Sequence, residues 1–189
     1  MKRLVLTLAL AAIAAPLAGQ STMAGMNMAQ GTDPMPASYK QVQLAALKEQ
    51  RRLLLAMADS MPESHYQQHA TPIQRTFGEQ VMHAAGSAAM IAGGFTSATK
   101  ATWSFADTAA ANGTRAGLKA FINSAYDFAE ARLAAQTAAD RGATFDFYGT
   151  KRQGWQWWDE INQHTMWTAG QIVANFRMHG NPPPHFGFF

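Results

Sequence analysis

The chain contains no cysteine. That excludes any disulfide, and it excludes a lipoprotein anchored through a lipidated cysteine. Charged residues make up only 14% of the 189 positions, and no dense Lys/Arg cluster occurs. A nucleic-acid partner is therefore not expected, because its electrostatic footprint is missing. Stretches that alternate apolar and polar residues are almost absent, which argues against a domain built on a sheet. The one long apolar run, LVLTLALAAIAAPLA, is broken by Pro16 and is too short to cross a bilayer comfortably. No internal repeat is visible, and the length suits one domain.

What is present begins with that run. Lys2 and Arg3 precede it and small residues follow it. This is the order of a secretory signal, so residues 1–20 are expected to be removed. The signal has a bacterial look, and the mature protein is expected in the periplasm or outside the cell, with no integral membrane segment. The net charge of +3 includes Lys2 and Arg3, so the pI of about 9.4 overstates how basic the mature chain is. Residues 21–36 read as a flexible linker rich in methionine, with Met23, Met26 and Met28 close together. Thioethers bind Cu(I); copper binding and a plain disordered leader are the two readings of this segment. The remaining residues, 37–189, are numerous enough to bury a core without staples.

Four segments in that domain show helical periodicity. The first is expected over 38–60, started by Pro36 and Ser38, with Leu44, Leu47, Leu54, Ala58 and Met61 on one stripe. Lys48, Glu49, Arg51 and Arg52 cover its other side, most simply as a solvated face. The second is expected from Pro72 or Ile73 to Ala92, with Phe77, Val81, Ala84, Ala88 and Ile91 inward and His83 on another side. His65 and His69 lie between Pro62 and Pro72 without an apolar period, and read as exposed loop residues. A long connection over 95–113, containing Trp103 and Phe105 and room for one short helix, leads to a third helix over 114–139. In that helix Tyr126 and Asp127 can face either way. A polar, Gly-rich loop over 140–154 precedes the fourth helix, which starts near Gln153.

The fourth helix carries the most information. It should stop at Gly180, before Pro182, Pro183 and Pro184, since Gly just past a helix followed by Pro is a stop signal. Ile161, Thr168, Ile172 and Phe176 make its buried stripe. At about 100° per residue, His164 and Thr168 sit only about 40° apart, with Glu160 and Gln171 on the same edge. A histidine at the edge of an apolar face is commonly a hydrogen-bonded core residue. The polar neighbours make a ligand site the competing reading.

The stretch His164 to Pro183 resembles the last helix of the DinB-like superfamily of metal-dependent four-helix proteins. The residues in register are His164, Gly170, Gln171, Arg177, Gly180, Pro182 and Pro183. His83, within TFGEQVMHAAG, fits the histidine that this family carries on its second helix. The resemblance covers most of the mature chain in pattern but is specific only at these two places. It implies an all-α four-helix bundle with a long connection between helices 2 and 3. It also implies a divalent-metal site, Zn or Ni, with one histidine from helix 2 and two from helix 4. The second histidine of helix 4 is replaced here by Thr168, whose hydroxyl is a poor ligand. Glu160, one turn before His164, and Glu79, one turn before His83, could substitute or could hold an imidazole tautomer.

Three functions are compatible with these readings. The first is an exported, non-catalytic envelope or stress-related bundle protein with an incomplete metal site. The second is a metal-dependent hydrolase or transferase using His83, His164 and a carboxylate. The third is a structural or interaction bundle without metal. A small-molecule ligand and a second copy of the chain are the partners left open.

Overall fold

A computed structural model describes residues 33–185 of the chain. The signal segment, most of the Met-rich linker and the terminal FGFF lie outside the described residues. The described chain is mostly helical, with one two-stranded sheet. Its elements run α1 (Tyr39–Ser60), a 3-10 turn (Glu63–His65), α2 (Phe77–Gly94), α3 (Thr108–Gly113), α4 (Arg115–Ala135), α5 (Ala138–Gly142), β1 (Thr144–Phe147), β2 (Thr150–Gln153) and α6 (Gly154–Met178). Among them no helix is long and apolar enough to cross a membrane.

The four long helices pack through their apolar stripes. α2 lies against both α4 and α6, and α1 lies against the same two helices on the other side. Leu47, Leu54, Met57, Val81, Ala84, Leu118, Ile122, Ile161 and Ile172 are buried between them. Burial of each such side chain is worth about 1.5–3 kcal/mol, which is why the stripes decide the packing. Tyr126 faces inward: it is fully buried and donates to Gln50 Oε1 at 3.2 Å. Asp127 faces outward and pairs with Arg51 at 2.7 Å. Arg51 thus leaves the solvated face expected for it and ties α1 to α4, donating also to Asn123 at 2.8 Å. Arg52 remains outside, paired with Glu49 on its own helix.

Several boundaries differ from the sequence reading, each for a local reason. α2 begins at Phe77 and not at Pro72 or Ile73. Thr76 accepts from the Glu79 backbone N–H while the Glu79 carboxylate accepts from the Thr76 N–H, a reciprocal cap that fixes the start. The residues before it turn back, Gln74 N–H donating to the Thr71 carbonyl, and leave Ile73 in solvent. α4 ends at Ala135 because Gln136 turns extended and Thr137 caps the next helix, α5. The expected loop over 140–154 contains α5 and a hairpin. Tyr148 and Gly149, with φ 49° and 85°, form its two-residue turn. Positive φ at both central residues matches the twist of the flanking strands. The connection after α2 contains α3, as the room for a short helix suggested. Trp103 and Phe105 both stack edge-on against Phe121, and Trp103 donates to Ser124 Oγ at 3.1 Å.

α6 ends as its sequence dictates. Gly180 takes φ 71°, and the Asn181 N–H donates to the Phe176 carbonyl at 2.9 Å. That is the left-handed stop that glycine adopts without strain.

Candidate functional site

α2 and α6 pack along their length, and this contact brings His83 and His164 together. Their ring centroids are 5.0 Å apart and the rings are nearly perpendicular, 73° between planes. Both residues are half-buried at the edge of the interface. His83 Nδ1 lies 3.5 Å from Ser87 Oγ, one turn along α2. His164 Nδ1 is buried and has no hydrogen-bond partner among the described residues. A buried ring nitrogen without a partner is costly unless something donates to it or binds it.

The electrostatics favour neutral rings. Burial lowers the pKa of His83, and the charges of Arg75 and His164 lower it further. Burial also lowers the pKa of His164; Glu160 opposes that shift and Arg75 adds to it. Neutral imidazole is the form that ligates metals. The field of Arg75 cuts the other way as well, since a charge that repels a proton also repels a divalent cation.

The other expected site residues do not join the pair as ligands. The Glu160 carboxylate is bonded to Arg152, from β2. The Glu79 carboxylate is bonded to the Thr76 N–H in the cap of α2. Thr168 is buried, 1% exposed, so an imidazole introduced there would have to displace packed neighbours. Among the described residues no group of three or more His, Cys, Asp or Glu is arranged to hold a metal ion. The donor set therefore fits two imidazoles of a metal site and does not fit the complete three-ligand set that the family resemblance implies. His69 stays exposed in its loop, with Nδ1 2.6 Å from the Gln74 carbonyl.

Arg75, which the sequence reading passed over, acts on both rings through its charge. It has no carboxylate within ion-pair distance among the described residues. With Gln74, Gln80, Gln171, Thr71 and Ile73 it lines a cleft of about 610 Å³. Gln80 donates to Gln171 Oε1 at 2.9 Å across the α2–α6 contact, and its own Oε1 is buried without a partner among the described residues. No periodicity marks Arg75, because it lies in the turn before the Thr76 cap; only its place just ahead of that cap could have drawn attention to it.

His65 departs from the sequence reading too. It is half-buried in the 3-10 turn and packs against His179, with ring centroids 4.9 Å apart.

Compared with protein-family models and with curated proteins, the chain matches none.

Proposed function

We propose that the chain is a four-helix bundle, α1, α2, α4 and α6, that binds one divalent ion weakly through His83 and His164. It acts as a binding protein and not as a catalyst. The fold part of this reading is supported by the pairing of each of the four helices with two others, as a bundle requires. The resemblance of the His164 to Pro183 stretch to DinB-like proteins supports the same arrangement. The observation that carries the site is the 5.0 Å approach of two buried-edge imidazoles held on different helices, a separation that one ion at about 2 Å from each nitrogen can bridge.

Weak binding follows from the neighbours. Glu160 and Glu79 are occupied by Arg152 and by the α2 cap. Arg75 adds a repelling charge that both imidazoles feel. Water or a small anion fills the remaining coordination positions, and Arg75 favours the anion. Zn²⁺ or Ni²⁺ suits a site of neutral imidazoles. The protein is expected outside the cytoplasm, on the strength of its first twenty residues.

Titration calorimetry with Zn²⁺ and Ni²⁺ tests this. Wild-type protein should take up one weakly held equivalent that His83→Ala and His164→Ala each abolish. An equivalent held equally well by both variants would refute the site. A tightly held equivalent in the purified wild type would refute the weak-binding reading and favour an active metal-dependent enzyme.

A further inference from the structure

A second pair of imidazoles lies where the ends of α1 and α6 meet the 3-10 turn, apart from the His83–His164 contact. Met61 is the C-cap of α1 and His179 is the C-cap of α6. His65 closes the turn that follows Met61. The two rings stand 4.9 Å apart. His179 Nε2 is buried and has no partner among the described residues. Met61 is fully buried, so its thioether is shielded from water.

The Asn181 amide nitrogen lies beside a ring nitrogen, a thioether and a backbone carbonyl of this cluster, and the His179 ring, unpartnered at Nε2 among the described residues, stands next to that of His65. The amide nitrogen is 3.0 Å from His65 Nδ1, 3.6 Å from Met61 Sδ and 3.3 Å from the His179 carbonyl. An N–H group surrounded by a ring nitrogen, a thioether and a carbonyl occupies a place suited to a cation. Two helix C-termini meet at the same point, and each carries partial negative charge from its last carbonyls. No carboxylate is bonded to either ring among the described residues. Glu63, in the same 3-10 turn as His65, accepts from the Arg115 backbone N–H at 2.6 Å.

We infer that Met61, His65 and His179 form a Cu(I) site in which the ion displaces the Asn181 amide. A thioether with two imidazoles and no hard oxygen anion selects a soft monovalent ion over Zn²⁺ or Mg²⁺. The site is independent of the His83–His164 reading, because it lies at the opposite end of α6 from Glu160 and shares no residue with that pair. The Met23, Met26 and Met28 thioethers are a separate possible source of copper binding in the same chain, and the test has to remove them.

The experiment is an anaerobic Cu(I) competition titration against a bicinchoninate chelator. It uses the full chain with Met23, Met26 and Met28 replaced by Leu and His83 replaced by Ala, so that neither the leader nor the α2–α6 pair can hold the ion. That protein should retain one equivalent. His65→Gln and His179→Gln should each weaken it by at least about tenfold. Met61→Leu, which conserves volume and so should keep the fold, should weaken it measurably, with unchanged far-ultraviolet circular dichroism as the check. The site is overturned if the leader variant retains no copper. It is also overturned if the histidine variants bind as well as their parent.

Discussion

His83 and His164 are each drawn toward the neutral form by burial, with Arg75 adding to the effect and Glu160 acting against it at His164. Both should therefore titrate below the ordinary histidine value of about 6.5, as read by long-range nitrogen–proton correlation spectra. The sign for stability follows from linkage. The unfolded chain binds these protons first, so stability is full above about pH 6.5 and declines as the pH falls through the folded values. A midpoint above 6.5 for either residue would contradict the burial described. At this scale the two histidines were legible: helical spacing placed His164 at the edge of a buried stripe, and the family resemblance drew attention to His83. The roles of the two glutamates were not. A Glu one turn before a His looks the same whether it serves the His, a cap or a distant Arg. For Glu79 the signal was present in Thr76-x-x-Glu79, which is the pattern of a reciprocal cap. For Glu160 there was none, since Arg152 reaches it from a strand that periodicity does not reveal. His65 and His179 meet only through the fold, and neither lies on a periodic face.

The long helices were readable as elements because each carries an apolar stripe long enough to outweigh local noise. The hairpin was not. Its strands are four residues each, and Tyr148 stands where Asn or Asp would have signalled the turn. The hairpin matters because it feeds directly into α6 at Gly154. A Cβ there would lie 2.2 Å from the Asp140 carbonyl oxygen and 3.1 Å from that of Thr96. Both are backbone atoms, so neither can swing aside. Gly154→Ala should therefore lower stability by about 1–3 kcal/mol, the usual cost of overpacking. Gly170 lies in the same helix with nothing within 4 Å of its added Cβ. Gly170→Ala should raise stability by about 0.5–1 kcal/mol through helix propensity alone. Urea unfolding of the two variants checks both signs; equal effects would mean that the close approach at Gly154 does not constrain the chain.

In the whole molecule, one contact decides whether the site exists. α2 and α6 must pack in the register that places His83 against His164, and the Gln80–Gln171 hydrogen bond fixes the same register nearby. That register joins two residues far apart in sequence into a pair of donors with no third His, Cys, Asp or Glu arranged beside them among the described residues. X-ray absorption at the nickel edge counts those donors directly. The sample is the full chain with His65 and His179 replaced by Gln, loaded with one equivalent of Ni²⁺. The scattering should contain two imidazole rings, with oxygen donors completing the shell, and no protein-bound nickel should remain when His83 is also replaced by Ala. Three or more imidazoles, or none, would contradict a two-histidine site between α2 and α6.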